Sequence, residues 1–141
     1  MLVVPAVVAG FAAYLDSYLG VRMRILALLF LLPSLCFADD WSKEDTYRQA
    51  ALTALLVADW AQTRYIAKNP DKFHEIDASR FIGEHPSTGK VNVYFATYIV
   101  SNATVSYLLP QNWRQAWQYL YIGYETKTVL KNRSIGIKMD F

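Results

Sequence analysis

Hydrophobic positions along the chain gather into blocks separated by short polar stretches, and each block has its own period. Residues 1–22, MLVVPAVVAGFAAYLDSYLGVR, are apolar but carry Asp16 and have no basic start. A second block, Ile25 to Leu35, follows Arg24 and ends at Cys36-Phe37-Ala38, ahead of Asp39 and Asp40. A basic lead, a short apolar centre and small side chains at the exit describe a secretory signal. Cleavage is expected after Ala38, with retention as an anchor as the alternative. Met23-Arg24 would itself be a normal signal start, so translation begins at Met1 or at Met23. From Met1, the roughly 15 residues before Asp16 form an extra apolar segment that is short for a membrane span.

Beyond Asp40 the pattern turns helical. Ser42 with Asp45 three residues on forms a capping-box-like start, and Thr46 to Ala67 contains neither glycine nor proline. Asn69-Pro70 should stop that helix. Residues 68–90 form a polar connection punctuated by Pro70, Gly83, Pro86 and Gly89, long enough to expect a short helix over 77–82. Val91 to Leu109 holds no Asp, Glu, Lys, Arg or His over 19 residues, which is sufficient to cross a bilayer core as a helix. After a turn at Pro110-Gln111-Asn112, Trp113, Trp117, Tyr121 and Tyr124 recur at helical spacing, giving a third helix over Trp113 to Leu130.

The C-terminal residues read differently. Ser134 to Phe141 alternates Ile135, Ile137, Met139 and Phe141, a strand period, and Ser-x-Gly-x-x-Met-x-Phe resembles the sorting signal of bacterial outer-membrane barrels. A barrel needs repeated strands of about ten alternating residues. Thr46 to Ala67 supplies none. The expected fold class is therefore all-α: a three-helix membrane bundle preceded by an N-terminal signal peptide or anchor. Residues 1–38 form the N-terminal extension and signal, and residues 39–141 the helical membrane domain with its polar connection at 68–90.

Composition strengthens the membrane reading and removes other classes. The chain is 54% hydrophobic and 15% aromatic with 18% charged residues, displaced from soluble averages. A net charge of +2 argues against a nucleic-acid partner. Cys36 is the only cysteine and leaves with the signal, so neither a disulfide framework nor a cysteine zinc site is expected. With Asp39 outside, the inner stretches hold Lys68, Lys72, Arg80, Lys90, Lys131, Arg133 and Lys138. The outer ones hold Lys43, Arg48 and Arg114, so basic residues favour the inner side.

Several polar residues within the apolar blocks are candidates for chemistry. Asp59, Gln62 and Thr63 share a helix face, and Glu125 lies within the third helix. Ionisable groups at membrane depth are costly, so they should point into the bundle. They would form a proton, ion or ligand site, or a hydrogen-bonded polar core, and the packing role is favoured. The connection carries His74, Glu75, Asp77, Glu84 and His85. Imidazole and carboxylate together suit a divalent ion, with His74, Glu75 and His85 as candidate ligands, although their spacing matches no zinc motif. Ser87 with either histidine could be drawn as nucleophile and base, without a third partner. Thr97, Ser101, Ala103 and Ser106 give the second helix a small-residue edge suited to close helix packing.

Taken in order, Asp59-x-x-Gln62-Thr63, Glu75-x-Asp77, Gly83-x-His85-Pro86-Ser87 and Tyr94-Phe95 resemble a group of small integral membrane proteins encoded by bacteriophages, prophages and bacteria. That group usually has asparagine where this chain has Asp77. The resemblance implies a small, phage-borne helical membrane protein, with no established activity to inherit.

The function expected on these grounds is non-enzymatic: partner binding or envelope modification at the bacterial inner membrane. Asp59, Gln62, Thr63, His74, Glu75, Asp77, His85 and Glu125 form the binding face, with no cofactor. Its partners would be the lipid bilayer and another copy or a membrane protein. The alternatives are a holin-like pore-former, a membrane-embedded hydrolase or metal enzyme, and, for location, the outer membrane.

Overall fold

Each helix boundary has a local cause in the sequence. In a computed structural model that describes residues 40–141, α1 runs Lys43–Lys68, α2 Ser79–Ile82, α3 Thr88–Leu108 and α4 Gln111–Ser134. Ser42 caps α1: its hydroxyl accepts from the Asp45 amide, and the Asp45 carboxylate accepts from the Ser42 amide, both at 3.0 Å. Two of the amides left unpaired at a helix start are thereby satisfied. At the other end the Asn69 side chain donates to the Tyr65 carbonyl at 2.8 Å, and Pro70 prevents continuation. Gly83 adopts φ +88°, ψ 164°, a backbone region open essentially to glycine, and lets the chain leave α2 for the Ser87 cap of α3.

The architecture is all-α, as the apolar periods indicate. α1 is the central element and packs along both α3 and α4, whereas α3 and α4 touch each other only sparingly. The apolar core is small. Leu52, Leu56, Ala61 and Ile66 bury the inner face of α1, and Ala78, Ile82, Val91 and Phe95 close the end where α2 meets α3. Polar cross-links complete the packing: Gln62 Nε2 donates to the Val129 carbonyl at 3.1 Å, and Asn92 Oδ1 accepts from Trp60 at 2.9 Å and Arg64 at 3.0 Å.

Two expectations change. The final residues do not form a strand: α4 continues to Ser134, turns at Gly136 (φ +91°), and the last residues lie across α1. There the Asp140 amide donates to the Ala61 carbonyl at 3.0 Å, the Asp140 carboxylate pairs with Lys68 at 2.6 Å, and Ile137 is buried. Of the alternating residues only Ile137 is buried; Ile135, Met139 and Phe141 are exposed, so the strand period marks no buried face. Second, among the described residues no helix is long and apolar enough to cross a membrane. α3 has the length, 21 residues, but Asn92, Thr97, Ser101, Asn102, Thr104 and Ser106 dilute its apolar content. The expected signal, its cleavage after Ala38 and the alternative starts lie outside the described residues.

Candidate functional site

Because α3 and α4 diverge, they leave an open groove of about 1510 Å³ floored by α1 and closed at one end by the 68–90 connection. α1 contributes Asp59; the connection contributes His74, Glu75 and Asp77; α4 contributes Glu125. Five of the eight expected binding residues therefore meet. Gln62 and Thr63 are buried in helix packing instead, and His85 is an exposed residue away from the groove. Thr97 and Ser101 line the groove, so half of the small-residue edge of α3 faces space rather than a helix.

Glu125 is the most constrained group. It is 1% exposed; Oε1 accepts the Tyr98 hydroxyl at 3.1 Å, and Oε2 has no hydrogen-bond partner among the described residues. Burial raises its pKa to about 7, against the lowering effect of the Tyr98 hydrogen bond and with a further rise from Asp77. Asp59 is pushed further, to about 8, by burial and then by the charges of Glu125, Glu75 and Asp77. Its hydrogen bond from Asn132 Nδ2 is long, 3.4 Å. Glu75 is tied locally, its Oε1 accepting from the Ala78 amide at 3.0 Å. Burial, followed by the neighbouring acids, also raises the Tyr94 and Tyr98 hydroxyls above the usual phenol range.

Tyrosines are what the sequence reading missed. Tyr94 and Tyr98 are one turn apart on α3, with ring centroids 5.9 Å apart, and Tyr98 meets Tyr121 of α4 edge-on at 6.3 Å. Tyr121 precedes Glu125 by one turn, so the four-residue spacing of aromatics on α4, carried one step further, points at the acid. No group of three His, Cys, Asp or Glu side chains among the described residues could hold a metal ion. His74, Glu75 and His85 do not form the candidate metal site, because both histidines are exposed and His85 lies off the groove. Ser87 lines the groove, but its hydroxyl caps α3 by accepting from the Lys90 amide at 3.4 Å.

A second buried charged cluster lies at the far end of α1. Asp45 is fully buried and pairs with Arg114 of α4 at 2.9 Å and with Arg48. Arg114, also fully buried, donates to the Ser106 and Leu109 carbonyls at 3.0 Å each and lies over the Trp41 ring at 5.0 Å. Burial by itself would raise the Asp45 pKa. Hydrogen bonds from Ser42, Arg114 and Arg48 more than reverse this and hold it at about 2. The sequence treats Arg114 as an exposed outer-loop base, and nothing local marks a pairing that spans 69 residues.

Comparison with family models, with curated proteins and with solved structures gives no match. Function therefore has to be argued from the groove itself.

Proposed function

We propose that this chain is a non-enzymatic binding protein of the bacterial inner membrane, lying against the bilayer and taking a ligand or partner group into the α3–α4 groove. One observation carries the reading: both groove walls present apolar stripes outward. Val93, Val100 and Tyr107 recur every seven residues on α3, and Trp113, Leu120 and Tyr124 follow the same face of α4; all six are at least half exposed. Meanwhile Gln62, Asn102, Gln118 and Glu125 are buried. Exposed apolar side chains along both walls of a concave site that holds buried acids mark an interaction face. The charged-apolar-small pattern of residues 24–38 supports delivery to the envelope, and the likeness to phage-borne membrane proteins supports a role in altering a host envelope.

Fractionation of the full chain expressed in bacteria tests this reading. Recovery with the inner membrane, flotation with vesicles of bacterial phospholipid, and release to the soluble fraction when Val100, Tyr107 and Leu120 are changed to glutamate are expected. A wild-type protein that remains soluble and fails to float would overturn it. Resistance to an alkaline wash, with the 68–90 connection shielded from protease on one side, would replace surface attachment by the three-helix membrane bundle expected from the sequence. Collapse of the membrane potential on expression would favour the holin-like alternative.

A further inference from the structure

A buried acid faces the groove with a free oxygen. Glu125 Oε2 has no hydrogen-bond partner although the residue is 1% exposed, and the Asp59 carboxylate beside the same space has one long contact. Glu75 and Asp77 add two more carboxyls from the connection. A buried carboxylate left without compensation is costly, and a bound positive charge removes the cost. The walls near the acids are aromatic: Tyr94, Tyr98 and Tyr121 form a row with centroid spacings of 5.9 and 6.3 Å. Aromatic faces attract a cation within about 6 Å of the ring centre.

The size of the groove excludes a bare cation as its full complement. About 1510 Å³ exceeds the roughly 300–1,000 Å³ of ordinary small-molecule sites. Besides the acids and tyrosines, the lining includes the apolar side chains Phe81, Ile82, Val93 and Leu120. Phe81 stacks on Tyr94 at 5.8 Å, so the aromatic row continues from the acids toward this apolar end.

We propose that the groove binds an amphiphilic ammonium compound, its charge seated against Glu125 Oε2 and Asp59 and its apolar body along Phe81, Val93 and Leu120. This deepens the binding role proposed above and rests on it. Val93 and Leu120 belong both to the groove lining and to the exposed stripes, so an amphiphile dissolved in a bilayer has a continuous apolar path into the site.

The test uses the full-length protein in nonionic detergent, titrated with hexyltrimethylammonium and followed by calorimetry and tyrosine fluorescence. The charge of this probe is permanent, so only the protein titrates. The titratable groups facing the acid pair are His74, Glu75 and Asp77 of the connection, Lys90, Tyr94 and Tyr98 of α3, and Tyr121, Tyr124 and Lys131 of α4. Affinity is expected to be about tenfold tighter near pH 9 than near pH 6, because Glu125 and Asp59 ionise at about 7 and about 8. Glu125→Gln should lose about tenfold in affinity near pH 9, while hexanol should bind without pH dependence. Should Glu125→Gln fail to fold, the pH comparison on the wild type reads the same charge. Equal binding of hexanol and hexyltrimethylammonium, or cation binding indifferent to pH, would overturn the ammonium assignment and leave the groove a binding site. Absence of any response to either probe would remove both.

Discussion

Two acids on α1 meet opposite fates. Asp45 and Asp59 lie fourteen residues apart, about 21 Å at helical rise. At Asp45 both carboxylate oxygens are engaged, by Ser42, Arg48 and Arg114, and the group stays ionised down to about pH 2. At Asp59 the neighbours are other acids: Glu125, Glu75 and Asp77 together with burial hold it protonated up to about pH 8. The difference is chiefly one of donors, although Asp45 is fully buried and Asp59 keeps partial solvent contact. A buried acid whose every lone pair is met by the chain's own donors is tied into the fold and closed to a ligand. Asp59 instead lies beside a groove where its neighbour Glu125 has an oxygen without a partner among the described residues, a demand that something outside the chain can fill.

Breaking the matched cluster should have the largest effect. Arg114→Met removes one of the two arginine partners of a fully buried Asp45 and leaves the Ser106 and Leu109 carbonyls without their donor. Removing one member of a buried pair typically costs about 3–5 kcal/mol, so urea unfolding in detergent should show a loss of that size. Adding Asp45→Asn to Arg114→Met should recover part of the loss, because the stranded charge is gone. A loss below about 1 kcal/mol, the value of a surface pair, would make the clasp incidental.

pH separates the two regions by sign. The Asp45 pKa is depressed on folding, so its contribution is present above the unfolded value of 3.8 and lost as pH falls through about 2. The Asp59 and Glu125 values are raised, so their contribution is complete below the unfolded values near 4 and disappears as pH rises through about 7 and 8. Thermal stability should therefore peak near pH 4, where the Asp45 contribution is complete and the Asp59 and Glu125 contributions begin to fade, and decline from there toward pH 9. Asp59→Asn should flatten that decline and stabilise the protein near pH 9 by about 1–2 kcal/mol, an amount reduced by the partial solvent contact of Asp59. A wild-type melting temperature that climbs from pH 6 to 9 would contradict the assignment of Asp59 and Glu125 as unmatched.

Legibility in the sequence follows the range of the interactions. Local signals were sufficient for the helices: the Ser42–Asp45 box, the stop at Asn69-Pro70 and the short helix before Gly83 are all within a few residues of their cause. Position within a helix was also enough to turn Asp59 and Glu125 inward, because an acid among apolar neighbours has few other places to go. The Asp45–Arg114 pair was hidden, since an arginine just after a proline turn looks the same whether it meets water or a carboxylate 69 residues away. Tyr98 was hidden for a related reason: a tyrosine in an apolar helix reads as bulk until its hydroxyl is seen to reach Glu125. Val91 to Leu109 carries no charge, but its amides and hydroxyls make it less apolar than its length suggests.

The smallest change sharpens the contrast most directly. Tyr98→Phe deletes the hydrogen bond that Glu125 Oε1 receives and leaves the ring row in place. That bond favours the charged carboxylate, so its removal should raise the Glu125 pKa above about 7. Below that pH the acid is protonated in both proteins, and the stability cost should be limited to about 0.5–1.5 kcal/mol, the ordinary value of a hydrogen bond. Carboxyl carbon shifts followed by NMR across the titration read both quantities from one sample. An upward shift with little unfolding would show that Tyr98 was the only donor holding Glu125 toward ionisation. A downward shift would mean that another donor reaches Oε2, and the groove would then be matched in the same way as the Asp45 clasp.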